Sequence, residues 1–142
     1  MKRVIVMMVD DESFVLERNA KALQSFGDLE IITENDPTNV IPRLDNPTLW
    51  PRGYPEIFVL DYDMPKMSGD QLSGNIRQHP RFKNTPIIFF TGSNVLVTRK
   101  EVEDAKGKLG GEEFRTKGQH LALERLRQDI LERTRSRGSG LQ

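Results

Sequence analysis

The run Ile57-Phe58-Val59-Leu60, followed at once by Asp61, is the stretch of sequence that decides the fold. A short, unbroken apolar run of this kind is typical of a strand that is buried on both faces of a parallel sheet. Two further runs have the same character, Val4 to Val9 before it and Ile87 to Phe90 after it. The sequence therefore predicts three strands at the centre of one parallel sheet.

Helix-like segments lie between these strands. Leu16, Leu23 and neighbouring apolar residues share one helical face ahead of Gly27, and Leu29 to Thr33 can then form a second strand. Asp36-Pro37 has the cap-then-proline form that opens a helix, and Ser68 to Gln71 has the form of a capping box. Strands that alternate with helices indicate an α/β fold.

The last third of the chain carries weaker signals. Glu113 to Thr116 is a candidate for the fifth strand, and a final helix is expected on the apolar stripe of Leu123, Leu126 and Ile130. We therefore predict a doubly wound (βα)5, flavodoxin-like parallel sheet with strand order 2-1-3-4-5. Residues 1–135 would form this domain and residues 136–142 a flexible C-terminal tail. We also expect a helix before the fifth strand, with Val95, Val102, Ala105 and Leu109 on one of its faces.

Composition excludes several classes of function. The 142 residues suit one domain, and 21 basic against 21 acidic residues leave no net charge that would favour direct binding to nucleic acid. No stretch approaches the roughly 20 apolar residues that cross a bilayer, and the N-terminus does not have the form of a signal peptide. The absence of cysteine excludes disulfides and thiolate metal sites. We therefore expect a cytoplasmic protein without membrane insertion.

Polar side chains follow four of the predicted strands, and only strand two offers no equivalent. Their positions are Asp10 and Asp11 after strand one, Asp61 and Asp63 after strand three, Thr91 after strand four, and Lys117 after strand five. The carboxyl ends of parallel strands meet at one edge of a doubly wound sheet, where ligands bind. We therefore expect carboxylates, a hydroxyl and an ammonium to meet in one crevice.

Clustered carboxylates repel one another, and a bound hard cation is the usual resolution. An oxygen-only site that shares its shell with phosphate oxygens suits Mg²⁺, for which Asp10 and Asp11 are the expected holding pair. Asp61 ends the most apolar central strand and is the expected nucleophile toward phosphorus. Lys117 would neutralise the phosphoryl oxygens and Thr91 would donate its hydroxyl to one of them.

Four segments carry a family resemblance. In order and spacing they resemble the four signatures of bacterial response-regulator receiver domains, which are CheY-like modules of two-component systems and phosphorelays. The resemblance runs from about Val4 to about Arg133. The segments are Val9-Asp10-Asp11-Glu12, Leu60 to Gly69, Phe90-Thr91-Gly92, and Phe114-Arg115-Thr116-Lys117.

The resemblance implies a phosphorylation switch rather than a conventional enzyme. Asp61 would accept a phosphoryl group from a phosphohistidine of a sensor histidine kinase or a histidine phosphotransfer protein. Mg²⁺ would be held by Asp11, Asp61 and the backbone carbonyl of Asp63, with Asp10 in support.

The resemblance also implies how the signal leaves the site. Thr91 and Phe114 would form the switch pair, with the threonine hydroxyl moving to the phosphate and the ring turning inward behind it. The surface of the fourth helix, fifth strand and fifth helix would bind a downstream protein, and a phosphorylation-linked homodimer is a further expectation.

Three features depart from the family pattern. Gly118 follows Lys117 where the family usually has proline, so the usual cis peptide is not expected there. The loop from Asn46 to Pro55 is long, and the segment from Thr91 to Lys117 is stretched and rich in glycine.

Two other functions stay open at this point. Asp61 and Asp63 resemble the nucleophile and acid pair of haloacid-dehalogenase-type phosphatases, although that family places the pair after its first strand and carries a cap. An adaptor with the shape of a receiver, never phosphorylated, is the other alternative.

Overall fold

The computed structural model of the chain describes residues 2–91, 94–96, 100–101 and 119–140, with the side chains of 2–90, 100–101 and 122–135 among them. Its centre is a five-stranded sheet. The strands are β1 (Val4–Val9), β2 (Leu29–Glu34), β3 (Ile57–Leu60), β4 (Ile87–Thr91) and β5 (Asn94–Leu96), in the spatial order β2-β1-β3-β4-β5.

Helices pack on both faces of this sheet. The longer ones are α1 (Ser13–Gln24), α3 (Gly69–Gln78) and a C-terminal helix (Gln119–Gly140), and α2 (Val40–Leu44) is a short one. Single 3₁₀ turns cover Pro37–Asn39, Pro47–Leu49 and Pro80–Phe82. None of the helices in the described part of the chain is long and apolar enough to span a membrane.

The parallel part of the sheet has the predicted order. Strand β1 pairs in parallel with β2 on one side and β3 on the other, and β3 pairs in parallel with β4. The predicted α/β fold with strand order 2-1-3-4 is therefore confirmed.

Alternate residues of the central strands face two separate core layers, as the period of a strand requires. Val6 of β1 and Val59 of β3 contribute to the layer under α1 and the C-terminal helix, whereas Met7 and Phe58 contribute to the layer under α3. Both faces are apolar because both are covered, which explains why these strands appear as unbroken apolar runs.

The structure contains the N-terminal caps that the sequence predicts at Asp36 and Ser68. The Ser68 hydroxyl accepts a hydrogen bond from the backbone N–H of Gln71, whose side chain accepts one from the backbone N–H of Ser68, so α3 begins with a capping box. The Asp36 carboxylate accepts from the backbone N–H of Thr38 and caps the turn at Pro37. The predicted N-terminal caps are therefore confirmed.

The strand beside β4 differs from the prediction. Strand β5 is antiparallel to β4, with Thr91 opposite Asn94 and Phe90 opposite Val95. The placement of Val95 on a helix was wrong, because a β-branched residue beside the edge of β4 gains strand pairing there. The candidate strand Glu113 to Thr116 lies outside the described residues.

The C-terminal helix buries the predicted stripe. Leu126 and Ile130 are fully buried, and Leu123 is nearly so, in the layer shared with α1. The helix continues to Gly140, so its backbone includes residues 136–140 of the predicted tail. The division of the chain at residue 135 stays a prediction.

Candidate functional site

Three aspartates meet at the carboxyl end of the sheet. Asp10 and Asp11 follow β1, Asp61 follows β3, and one carboxylate oxygen of each lies within 4.8 Å of the others. The cause is strand register: Val9 lies opposite Leu60, and the backbone N–H of Asp61 donates to the Val9 carbonyl at 2.9 Å. Neighbouring parallel strands thus deliver these side chains to one place.

Asp10 is fixed by the turn that enters α1. Its side chain is 9% exposed, and its Oδ1 accepts a hydrogen bond from the backbone N–H of Glu12 at 3.0 Å. Its own backbone N–H donates to the Glu34 carbonyl at the end of β2. Asp10 is therefore held in a defined orientation beside the other two carboxylates.

Asp11 has an unsatisfied oxygen. Its Oδ1 is buried and, within the described part of the chain, accepts no hydrogen bond. A buried carboxylate oxygen without a donor is costly, and two more carboxylates nearby increase that cost. A bound hard cation would remove both costs, since three carboxylate oxygens are ligands that Mg²⁺ accepts. The residues present therefore fit Mg²⁺.

Asp61 is 3% exposed, and the loop that follows it leaves no space for a larger residue at Gly69. A Cβ added to Gly69 would lie 2.2 Å from the Asp61 carbonyl oxygen. The Gly69 N–H also donates to the Tyr62 carbonyl at 2.7 Å. Sequence reasoning treated Gly69 only as part of a helix start and a signature, and missed that its lack of a side chain allows α3 to approach Asp61.

The other predicted site residues are placed less fully. Asp63 follows Asp61 on the same loop with an exposed side chain. The backbone of Thr91 ends β4, and its side chain lies outside the described residues. Lys117, Phe114 and Gly118 also lie outside them, so the expectations for those three residues stay predictions.

Beside Asp11 opens a cleft of about 310 Å³, lined by Asp11, Asn35, Asp36, Pro37, Pro65 and Lys66. Lys66 Nζ lies 2.8 Å from Asp36 Oδ2 within this lining. The hydrogen bond from Lys66, aided by the Thr38 hydroxyl and backbone N–H, lowers the pKa of Asp36 from 3.8 to about 2. The same contact raises the pKa of Lys66.

Strand β2 also ends in a charged residue, which sequence reasoning missed. Glu34 is 8% exposed, and its Oε1 lies 3.0 Å from Arg43 Nη1. Its Oε2 accepts a hydrogen bond from the backbone N–H of Asp36. Because these partners satisfy it, Glu34 ties β2 to α2 and differs in this from Asp11. The charged residue directly after the predicted strand Leu29 to Thr33 was the available signal.

Comparison with known proteins identifies the family. A family model described as "Response regulator receiver domain" matches residues 6–120. The chain therefore belongs to the response regulator receiver domain family, whose members are signalling modules of two-component systems that interact with histidine kinases or phosphotransfer proteins.

Individual relatives have low sequence identity to this chain. The chain is 27% identical over 112 residues to Protein PilG of Pseudomonas aeruginosa, covering 78% of this chain and 75% of that protein. Among solved structures it is similar to the chemotaxis response regulator CheY4 of Vibrio cholerae, with a TM-score of 0.63, 18% identity, and coverage of 92% of this chain and 100% of that one. It is also similar to the receiver domain of the Francisella response regulator 1452, with a TM-score of 0.64, 14% identity, and coverage of 94% and 98%. At these identities the two structures bear on the fold alone.

Proposed function

We propose that Asp61 accepts a phosphoryl group from a phosphohistidine in a Mg²⁺-dependent reaction, and that the chain signals by the change of conformation that follows. The donor would be a sensor histidine kinase or a histidine phosphotransfer protein. The observation that carries the proposal is the meeting of Asp10, Asp11 and Asp61, together with a buried oxygen of Asp11 that accepts no hydrogen bond from the residues the structure describes. An acidic cluster with an unsatisfied oxygen suits a site that is completed by a cation.

In this transfer an oxygen of Asp61 forms the new bond to phosphorus while the bond from phosphorus to the imidazole nitrogen breaks. The imidazole keeps the electron pair and takes up a proton. Phosphoryl transfer depends mostly on positioning and charge. The backbone of Asp61 is positioned by its hydrogen bond to Val9 and by the close approach of Gly69.

Charge would be supplied from several residues. Mg²⁺, held by Asp10, Asp11, Asp61 and the backbone carbonyl of Asp63, would offset the charge on the phosphoryl oxygens. We assign Lys117 the role of the second cation and Thr91 that of hydroxyl donor.

We assign the output of the proposed switch to Thr91 and Phe114. Thr91 would respond to the phosphoryl group together with Phe114, and the surface of the predicted fourth helix, predicted fifth strand Glu113 to Thr116 and final helix would bind the downstream protein. A phosphorylation-linked homodimer is a further part of the proposal. We place this activity in the cytoplasm and assign the chain no direct contact with nucleic acid.

The test is incubation with acetyl phosphate and Mg²⁺, followed by measurement of the intact mass. We expect one phosphate adduct, which is lost in Asp61→Asn and without Mg²⁺. Asp63→Asn is the matched control, because it removes the same charge two residues away and should keep the adduct. Steady turnover of a small phosphate ester would instead favour a phosphatase that uses Asp61 and Asp63. Failure to form an adduct with any phosphodonor, together with no binding of Mg²⁺, would overturn the proposal.

A further inference from the structure

One ion pair joins two loops beside the acidic site. Lys66 lies on the loop that follows Asp61, Asp36 lies on the loop that follows β2, and both line the cleft that reaches Asp11. The pair therefore places one positive and one negative charge in the cleft that Asp11 lines.

The two partners are held differently. The Asp36 carboxylate is fixed by its own turn, since Oδ1 accepts hydrogen bonds from the Thr38 backbone N–H at 2.9 Å and hydroxyl at 2.6 Å. Its other oxygen, Oδ2, accepts from Lys66. The Lys66 side chain is 66% exposed, so Asp36 is the contact that keeps its flexible, charged end in the cleft.

We propose that the Asp36–Lys66 ion pair sets the Mg²⁺ affinity of the acidic site by balancing charge in the cleft. This inference rests on the proposed function, which requires Mg²⁺ at Asp10, Asp11 and Asp61. Paired, the two side chains add no net charge. Each alone would change the electrostatic potential at a divalent ion, and in opposite directions.

The sign of each change follows from Coulomb's law. Lys66→Met keeps the apolar stem, removes the ammonium and leaves the Asp36 carboxylate unbalanced, so Mg²⁺ binds more tightly. Asp36→Asn keeps a side-chain oxygen for the cap and leaves the Lys66 ammonium unbalanced in the cleft that Asp11 also lines, so Mg²⁺ binds more weakly. A unit charge acting on a divalent ion across a solvated cleft changes the Kd by about three- to tenfold.

The experiment is calorimetric titration of the unphosphorylated chain with MgCl₂ at low ionic strength. We expect a lower Kd for Lys66→Met, a higher Kd for Asp36→Asn, and a Kd near the wild-type value for the double variant. Because exposed charges are screened by salt, the differences should shrink strongly in 1 M NaCl. Thermal melting confirms that each variant is folded.

Arg52→Met is the matched control. Arg52 pairs with Glu30 at 2.9 Å near the opposite end of the sheet, and its loss is the same change of charge. Its Kd should equal that of the wild type. If both single variants weaken binding alike, the pair is only a tether between loops and the inference fails. If wild type binds Mg²⁺ and neither variant shifts the Kd, the inference also fails while the proposed function stands. If wild type binds no Mg²⁺, both fail.

Discussion

The two ends of strand β3 are built in opposite ways. At its amino end the loop 46–55 packs an aromatic cluster, defined by Trp50, Tyr54, Phe58 and Phe82, against the sheet. At its carboxyl end Asp61 joins two other carboxylates, one of which has a buried oxygen that no described residue satisfies. The aromatic end stabilises the fold, whereas the acidic end keeps carboxylate oxygens that a cation can bind.

The indole N–H of the aromatic cluster has a hydrogen-bond partner. The Trp50 Nε1–H donates to the Arg43 carbonyl at 2.9 Å, and the ring is 7% exposed. The Phe82 ring meets those of Phe58 and Tyr54 edge-on, with centroids 5.4 and 5.9 Å apart. Edge-on aromatic pairs add stability beyond the area they bury. Such packing at one end can offset the repulsion among carboxylates at the other.

The largest expected effect is a loss of stability when the aromatic cluster at the amino end of β3 is disrupted. Trp50→Ala should lower the free energy of unfolding by about 4 kcal/mol, because it leaves a cavity and removes the hydrogen bond from the indole N–H to the Arg43 carbonyl. Urea denaturation measures this change. The Mg²⁺ affinity of the variant, titrated where it is still folded, should match that of the wild type.

Leu49→Ala is the control for Trp50, since it truncates the neighbouring residue of the same loop where the side chain is 46% exposed. Leu49→Ala should lower the free energy of unfolding by well under half as much as Trp50→Ala. A clear loss of Mg²⁺ affinity in folded Trp50→Ala would contradict the separation of the two ends.

The next effect concerns the approach of α3 to the site. Gly69→Ala forces a Cβ against the Asp61 carbonyl, so we expect a loss of about 2–3 kcal/mol in stability and a large loss of phosphate adduct. Gly74→Ala lies on the same helix with nothing within 4 Å of the added Cβ, and should stabilise the chain. Equal adduct formation by the two variants would show that Asp61 does not depend on this contact.

A smaller effect is expected from Mg²⁺ binding at the acidic end of β3. Mg²⁺ at about 30 times its Kd should stabilise the wild-type chain by about 2 kcal/mol through linkage. Asp11→Asn should lose this gain in a thermal melt. Asp45→Asn removes the same charge near the aromatic cluster, where Asp45 contacts His79, and should keep the gain. Equal gains in both variants would remove Asp11 from the metal site.

The smallest effect is the titration of Asp36. Its folded pKa of about 2 lies below the ordinary value of 3.8, so the contribution of the pair to stability is present above about pH 4 and is lost as the pH falls toward 2. Carboxyl chemical shifts follow this titration. Lys66→Met should return the midpoint toward 3.8, whereas Arg52→Met should leave it unchanged. An unmoved midpoint in Lys66→Met would show that another group lowers the pKa.

Much of this molecule follows from the sequence. Apolar runs such as Val4–Val9 define strands that are buried on both faces. Short signals such as the Ser68 capping box act within a few residues. Both can therefore be recognised without a structure. The meeting of Asp61 with Asp10 and Asp11 follows too, because residues after neighbouring parallel strands emerge at one edge.

The tertiary structure decided what depends on contacts between residues distant in the chain. Whether Val95 joins a helix or pairs beside β4 depends on the free edge of that strand, which local periodicity does not encode. The contact of Gly69 with Asp61, and the pairing of Asp36 with Lys66 thirty positions away, depend on how two loops approach in space. The sequence by itself thus determined which residues stand at the strand ends, and the fold decided which of them are satisfied, since hydrogen bonds and ion pairs form only at specific distances.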